Sequence, residues 1–342
     1  MANQAKCATQ SDSIDVKLLN VLDTRLLGGA VDFGSSFIIS GILAIIFRTM
    51  IAPVERVKLI LQTQASSHQI GHAKRSAYSG VLNALIRIPK EQGFLSLWRG
   101  NVVNICRYFP AQAINFSFYN IYYGMFQKMI ESKNYSHIVL PFMTGGAVGL
   151  TSCAVLYPLH FCNTRITVDV GDSKIVKREF YGFSDCICKI YKNDGLKGLY
   201  QGLSVSICGL FLYRSIYFGL YATGKRTYLN NYATDHDTMN VPFFMSLALA
   251  QLSSWIATIV SYPFDTTSRQ KMLWSGRGSR SFVSVRHVIT TIIEKDGPIG
   301  FYRGLTANLM STLCGSLLLV TYDIVKLRFD QLMESKNTKS ET

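Results

Sequence analysis

Three arginines lie within a long apolar stretch of this 342-residue chain or directly at its start: Arg48, Arg107 and Arg214. No Asp or Glu in those stretches is an obvious ion-pair partner. A charge in the middle of a membrane costs at least about 2.5 kcal/mol, so it is expected to face a watery cavity and to serve function. Three positive charges without a counter-ion predict a binding site for an anion. The formal net charge of +14 also indicates an anionic partner.

An aromatic residue, Tyr213, directly precedes Arg214. An aromatic side chain beside cations in a cavity suits a ring system attached to an anion, such as a nucleotide. Packing of Tyr213 between two helices fits the sequence equally well.

The chain repeats itself three times. Pro53, Pro158 and Pro263 recur at intervals of 105 residues, and a glycine marker recurs every 102 residues at Gly93, Gly195 and Gly297. A fixed period of this kind indicates a repeat architecture. We therefore predict one body of three units. The predicted organisation is a flexible N-terminal segment 1–31, repeats 32–130, 137–230 and 240–333, and a C-terminal tail 334–342.

Six apolar stretches divide these repeats, two in each. They cover 33–54, 108–127, 138–159, 203–224, 242–262 and 305–322. Each has about the 20 residues that a helix needs to cross a bilayer. Only 16% of the residues are charged, against about 25% in ordinary globular domains. The sequence thus predicts an all-α membrane protein with six transmembrane helices in three tandem repeats and pseudo-threefold symmetry.

Basic residues follow this topology. The loops after the odd-numbered spans contain seven Lys or Arg each, whereas the loops after the even-numbered spans contain two each. This asymmetry places the odd loops on one side of the membrane and both termini on the other. It also argues against a nucleic-acid partner, since the charge tracks topology and forms no single stripe with interleaved aromatics.

Each odd loop also contains a helical apolar pattern, as at Val81, Leu85 and Ile88. The pattern predicts short amphipathic surface helices that end at Gly93, Gly195 and Gly297. The eight cysteines follow no disulfide or zinc spacing, so no metal site is expected. The N-terminus shows neither a secretory signal nor a transit peptide.

The repeated prolines lie within helical stretches, where proline kinks a helix. Three kinks at one depth would let the odd helices converge at the loop-rich face. Glu55, Lys58 and Asp265 follow these prolines and are predicted to link neighbouring helices in a gate of ion pairs.

These residues resemble the mitochondrial carrier family over roughly residues 33–333. That family has three repeats, each with a P-x-[DE]-x-x-[KR] element followed by a [DE]-G and a [WY]-[RK]-G element. Within the family the chain is similar to the ADP/ATP carriers. The closest stretches are Ala52–Lys58, Arg87–Gly93, Trp98–Asn101, Arg107–Ala113, Asp194–Gly202 and Tyr213–Gly219.

The resemblance implies alternating-access exchange of ADP for ATP across the mitochondrial inner membrane by a multi-pass carrier. The predicted site closes within one chain, so we expect a monomer. The sequence contains no metal cluster, nucleophile motif or phosphate loop, so we expect no cofactor and no enzymatic step. It implies that Arg48 and Arg107 meet phosphate and that Gly209, Leu210, Tyr213 and Ser261 form an adenine pocket. Asn104, Gln112 and Asn115 would line the same face, and Arg214 or Arg269 would supply a third cation. The basic surface helices are expected to bind an anionic lipid such as cardiolipin.

The chain departs from the ADP/ATP carriers at several positions that carry charge in that family. These positions hold Tyr119, His160, Asn163, Ser268 and Ser311. One loop-side pair, Asp265 with Lys58, is expected to remain, and on the opposite side the family's gate element is whole only at Asp323 and Lys326. Two alternatives therefore stay open: a carrier of another nucleotide or phosphorylated anion, and a non-transporting membrane scaffold or leak protein.

Overall fold

A computed structural model of the chain describes most of the repeat region. The described residues are 38, 41–67, 69–70, 76–130, 136–171, 178–232, 242–276, 282–317, 321 and 325. The predicted segments 1–31 and 334–342 and the gate residues Asp323 and Lys326 lie outside them.

The chain divides into two compact units. One unit combines Met1–Ile46 with Leu317–Thr342, and its described residues are helical. The other unit, Phe47–Ser316, contains the predicted surface helices and nearly all of the predicted site.

Nine α-helices form the described part of the larger unit. They are α1 (47–63), α2 (Val81–Gln92), α3 (Asn101–Ile130), α4 (Ser136–Val168), α5 (Phe183–Leu199), α6 (Leu203–Tyr232), α7 (Phe243–Trp274), α8 (Val285–Asp296) and α9 (305–316). Short 3₁₀ turns cover Gln64–Ser66, Phe94–Trp98 and Pro298–Tyr302. The order of long and short helices is the one that the repeats predict: long, short, long in each.

Three of the long helices are apolar enough over a sufficient length to cross a membrane, as judged from the described residues. The qualifying segments are Phe142–Val168, Leu203–Leu229 and Phe243–Trp274. Helix α3 has 30 residues, but polar side chains such as Arg107, Gln112 and Asn115 lower its mean hydropathy. The structure describes only parts of the predicted spans 33–54 and 305–322.

Helices α4 and α7 run past the predicted ends of their spans, from 159 to Val168 and from 262 to Trp274. The sequence suggested that these helices stop near the repeated proline motif, because charged and polar residues follow it. The polar residues are instead buried between neighbouring helices, where they find hydrogen-bond partners, so the helices continue.

The surface helices end where the glycine marker predicts. Gly93 and Gly297 follow the last residues of α2 and α8 with φ of +84° and +68°. Gly195 interrupts α5 with φ of +67°. A positive φ is a left-handed conformation that glycine adopts without a steric penalty. Glycine at these positions therefore ends or breaks each surface helix at the same point of its repeat.

A second set of glycines joins the repeats in a ring. Gly100, Gly202 and Gly304 also have positive φ, of +91°, +89° and +82°. A Cβ atom at Gly202 would lie 2.7 Å from the Ser268 carbonyl oxygen, and one at Gly304 would lie 2.8 Å from the Lys58 carbonyl oxygen. A Cβ at Gly100 would collide with the Thr167 side chain. Each glycine thus contacts the first long helix of the next repeat, which is α4, α7 and α1 in turn. The third repeat therefore packs against the first.

The end of α4 is capped by an arginine from repeat 1. Arg56, only 1% exposed, donates to the carbonyl oxygens of Thr167 and Asp169 at 3.1 Å each, and also to that of Ser96. The last carbonyl groups of a helix have no intrahelical partner and carry partial negative charge, so a cation stabilises them. Arg56 therefore ties repeat 1 to repeat 2.

Repeats 2 and 3 use the same kind of contact. Arg165 donates to the carbonyl oxygens of Met272 (3.4 Å) and Leu273 (2.6 Å) at the end of α7. Gln270 donates to the Gln62 carbonyl oxygen (3.0 Å) at the end of α1. From the sequence, these arginines are expected to be loop residues. Arg56 and Arg165 are instead buried inter-repeat contacts.

One apolar residue from each of α1, α4 and α7 packs with the other two near the ends of these helices. Leu59, Val168 and Leu273 form a buried cluster of their own. Together with the helix-end hydrogen bonds, this cluster holds the ends of α1, α4 and α7 together.

Candidate anion-binding site

A cavity of about 550 Å³ lies between the long helices, with residues of α1, α3, α4, α6, α7 and α9 in its wall. It brings together most of the predicted site residues. Those in the wall are Lys58, Arg107, Asn115, Gly209, Leu210, Tyr213, Arg214, Ser261, Asp265 and Arg269. Arg48, Glu55, Asn104 and Gln112 do not form part of the wall.

Asn104 connects three of the charged residues. Its Oδ1 accepts hydrogen bonds from Arg48 Nη1 at 3.2 Å and Arg107 Nη2 at 3.4 Å, and its Nδ2 donates to Glu55 Oε2 at 2.9 Å. Asn104 is only 5% exposed. The Glu55 contact fixes which end of the amide faces the arginines, so two guanidinium groups converge on one oxygen. The family resemblance predicted that Asn104 lines the substrate face, but it did not reveal this connecting role.

The two arginines differ in how they are held. The Arg48 guanidinium lies 5.1 Å from the centre of the Tyr108 ring, an arrangement that stabilises a cation electrostatically. Arg107 reaches the cavity, and its buried Nε has no hydrogen-bond partner in the described part of the chain. A buried donor without a partner costs about 1–3 kcal/mol. An anionic ligand in the cavity would supply acceptors to Arg107.

Asp265 is the centre of a second polar cluster. Arg269 Nε donates to both of its carboxylate oxygens at 3.0 Å, and Gln62 Nε2 donates to Oδ2 at 2.9 Å. The Lys58 ammonium lies 4.0 Å from Asp265 Oδ2 and donates to Asn308 Oδ1 at 2.8 Å. The structure therefore brings the two residues of the predicted gate pair together, and it gives Asp265 two further partners that the sequence did not suggest.

These contacts separate the two candidates for a third cation. Arg269 is paired with Asp265 within its own helix. Arg214 lines the cavity, and no ion pair involves it among the described residues. Arg214 is thus the more available positive charge of the two.

Helix α6 presents a row of tyrosines. Tyr213 stacks on Tyr217 with ring centres 6.1 Å apart and planes at 8°, and Tyr217 stacks on Tyr221 at 6.2 Å and 6°. The Tyr213 hydroxyl pairs with that of Ser254 at 3.1 Å. Tyr213 is predicted from the sequence, whereas Tyr217 and Tyr221 are not, although the spacing of four residues places all three on one helix face.

Gly209 lies at a close contact between α6 and α7. A Cβ at this position would be 2.9 Å from Phe264 Cβ. A glycine here lets the two helices meet at the cavity wall. Ser261, on the facing helix, turns its hydroxyl to the Thr258 carbonyl oxygen at 3.3 Å.

The polar residues of α3 form a chain along the helix. Gln112 donates to the Tyr108 hydroxyl at 3.1 Å, and Asn115 donates to Gln112 Oε1 at 3.5 Å. Asn115 reaches the cavity wall. Gln112 thus supports Asn115 and Tyr108 from beside the cavity.

The three repeated prolines lie inside helices, Pro53 in α1, Pro158 in α4 and Pro263 in α7. The tyrosine before the second proline donates to the Gln201 carbonyl oxygen at 2.8 Å, and its counterpart before the third donates to the Arg303 carbonyl oxygen at 3.1 Å. Each bond fixes the proline segment to the turn that precedes the second long helix of the same repeat, α6 in repeat 2 and α9 in repeat 3. The kinking role of the prolines stays a prediction.

Acidic, histidine and cysteine side chains do not cluster in a way that would hold a metal ion, within the ranges that the structure describes. The cavity wall instead combines cations, amides and the rings of Tyr157, Tyr213 and Tyr262. A three-repeat helical bundle around such a cavity defines the chain as a membrane carrier for an anionic solute.

A family model for mitochondrial carrier proteins matches residues 29–130, 134–232 and 240–332. The chain therefore belongs to the mitochondrial carrier family. The six-helix, three-repeat fold predicted from the sequence is the fold of this family.

Within this family, the chain is similar to proteins named ADP/ATP translocases. The chain is 42% identical over 304 residues to mouse ADP/ATP translocase 4, covering 88% of this chain and 92% of the relative. It is 40% identical over 301 residues to rat ADP/ATP translocase 2 and 41% identical over 301 residues to human ADP/ATP translocase 3. In both cases the match covers 87% of this chain and 98% of the relative.

Proposed function

We propose that this chain exchanges ADP for ATP across the mitochondrial inner membrane, as a multi-pass carrier that alternates access to one central cavity. Its relatives over most of its length are named ADP/ATP translocases. The structural observation that carries the proposal is the pair of guanidinium groups on Asn104, with Arg107 reaching a cavity whose wall also contains Tyr213.

In this proposal the phosphates bind at Arg107 and Arg214, because these cations line the cavity without an ion-pair partner among the described residues. Guanidinium groups match phosphate geometry with two parallel hydrogen bonds. Arg48 acts behind Arg107 through their shared acceptor on Asn104.

The adenine base is assigned to the region of Gly209, Leu210, Tyr213 and Ser261, all in the cavity wall. Stacking of a base on an aromatic side chain contributes about 1–3 kcal/mol. Tyr213 is held in place by its hydroxyl contact and by the ring of Tyr217 behind it, so a stacked base would find an ordered surface.

Transport requires the closed loop-rich end to open. The Lys58–Asp265 pair, the cluster at Leu59 and the helix-end hydrogen bonds hold it closed in this conformation. A substrate can shift this equilibrium only by binding more tightly to the states through which opening proceeds. We assign Glu55, Lys58 and Asp265 to this gate, and Asp323 with Lys326 to the gate on the opposite side.

The site lies within one chain, which supports a monomeric carrier. The basic surface helices support contact with an anionic membrane lipid, for which we propose cardiolipin. The exchange involves no covalent step, no cofactor and no nucleic acid.

A second candidate is a carrier for a less anionic solute, such as a nucleoside monophosphate. Two observations favour it. The Ser311 hydroxyl turns back to the Asn308 carbonyl oxygen at 2.9 Å and adds no charge to the site, and Arg269 is neutralised by Asp265.

Binding of AMP, ADP and ATP to the purified carrier separates these candidates. A ligand that binds the folded state raises its apparent melting temperature. We expect ADP and ATP to stabilise the protein more than AMP and expect Arg214→Ala to reduce this effect. The matched control is Arg226→Ala, which removes an exposed arginine three turns further along α6. Stabilisation by AMP alone would favour the second candidate.

A further inference from the structure

Repeat 2 breaks a pattern that the other two repeats share. The second residue after the repeated proline is Glu55 in repeat 1 and Asp265 in repeat 3, but it is His160 in repeat 2. An imidazole thus stands where the chain's own repeats place a carboxylate. Asn163, three residues further on, is likewise neutral where repeat 1 has Lys58.

His160 faces the central cavity. Its ring forms part of the cavity wall, and its Nδ1 is buried without a hydrogen-bond partner among the residues that the structure describes. The charged groups that act on it are Lys58 from α1, Arg107 from α3, and Asp265 and Arg269 from α7. Three of these four groups are cations.

A carboxylate at position 160 would find these cations as partners. Asp265, the one anion of the group, is already held by Arg269 and Gln62. A second carboxylate would therefore pair with Lys58 or Arg107 and cancel part of the positive charge that a ligand can use. An imidazole carries either no charge or one positive charge at neutral pH, so it leaves those cations to the ligand.

We propose that His160 is a specificity-determining residue of this carrier. Unlike a carboxylate, its imidazole adds no negative charge to the cavity. The cavity therefore favours substrates according to their own negative charge, in the order ATP, ADP, AMP. This inference rests on the proposed function, since it assumes that adenine nucleotides occupy the cavity.

The test is a charge series at one position: His160→Asp, His160→Asn and His160→Lys in the full-length carrier. The dissociation constants for ATP, ADP and AMP are measured by ligand-induced thermal shift. For ATP we expect the weakest binding with Asp, intermediate binding with Asn and the tightest with Lys. The dissociation constants of the Asp and Asn variants should differ about tenfold, because the charge added by Asp lies beside the other charged groups of the cavity. The step should be smaller for ADP and smallest for AMP, so His160→Asp lowers the preference for ATP over AMP.

Thr290→Asp is the control, because it adds the same charge on an exposed residue of the surface helix α8. It should leave the three dissociation constants within about twofold of the wild type. Any two variants of the series that fold are sufficient, since the prediction concerns their order.

The outcomes are distinct. If the wild type binds nucleotides and the series follows the predicted order, the inference is supported. Equal ATP affinities across the series, or equal steps for ATP and AMP, overturn the inference and leave the proposed function intact. A wild type that binds none of the three nucleotides overturns both.

Discussion

The ring of inter-repeat glycines gives a sharp prediction at Gly202. Replacing it with alanine adds one methyl group at a left-handed backbone position, where a residue with a side chain costs about 1–2 kcal/mol. The new Cβ would also lie 2.7 Å from the Ser268 carbonyl oxygen, which belongs to the backbone of α7. The Ser268 hydroxyl donates to the Gly202 carbonyl oxygen and pairs with Ser206, so α7 cannot move away without loss.

Overpacking of this kind costs about 1–3 kcal/mol. The two effects together give a destabilisation of about 2–5 kcal/mol, which corresponds to a lowering of the melting temperature by roughly 5–15 °C. The assay is thermal unfolding of the purified carrier, followed by reaction of newly exposed thiols or by light scattering.

The control is Gly219→Ala, the same chemical change inside α6, the helix that directly follows Gly202. Gly219 is helical, and a Cβ there would meet no atom within 4 Å. Alanine in a helix interior is more stable than glycine by roughly 0.5–1 kcal/mol, so this variant should melt at or slightly above the wild-type temperature. If the Gly202 variant melts within about 1 °C of the Gly219 variant, repeats 2 and 3 do not meet as described.

Three further predictions concern the site and the surface helices. Asn104→Leu removes the acceptor that two arginines share, and we expect the dissociation constant for ADP to rise about tenfold or more in a thermal-shift titration, since buried donors lose their partner; unchanged affinity would contradict the role of Asn104. A hydrogen bond to the Cys162 thiol and burial both raise the pKa of Cys186, whereas Cys188 in the same helix is exposed. A maleimide should therefore label Cys188 in the folded protein and label Cys186 only after unfolding. Peptide mass analysis checks this, and labelling of Cys186 before Cys188 would contradict it. The Lys189 ammonium and the Tyr181 amide lower the pKa of Asp185. Its contribution to stability is therefore fully present above the unfolded-state pKa of about 3.9 and is lost as the pH falls through the lower folded-state value. Asp185→Asn should lower the melting temperature by more at pH 7 than at pH 3, and an equal difference at both pH values would contradict this.

The sequence was most informative where a pattern repeats. The periods of the prolines and glycines predicted three units, and Gly93, Gly195 and Gly297 correctly marked the ends or breaks of the surface helices. These features are local, because a glycine at a positive φ acts on its own stretch of chain. Family membership then supports the six-helix fold.

Features that depend on neighbouring repeats were not visible in the same way. Arg56 and Arg165 follow a proline motif and look like exposed loop cations, yet both are buried against the end of the next helix. The spacing of Gly202 and Gly304 is evident in the sequence, but the partner of each glycine belongs to another repeat. Only the packing of the helices identifies these partners.

The candidate site shows the same division. Arg107, Arg214 and Tyr213 were predicted because a charge or an aromatic ring is conspicuous in an apolar stretch, and all three line the cavity. The connecting role of Asn104 and the pairing of Arg269 with Asp265 depend on which side chains meet across or along helices. Residue type alone does not determine such pairings.

The most direct test of the proposed function is counter-exchange in liposomes that contain the purified carrier. We predict that labelled ATP enters liposomes loaded with ADP, that uptake saturates with external ATP, and that it stops when the liposomes contain no nucleotide. Arg107→Ala should abolish this uptake, while Arg226→Ala should preserve it. Uptake that does not depend on internal nucleotide, or uptake that persists without Arg107, would contradict exchange through the cavity described here.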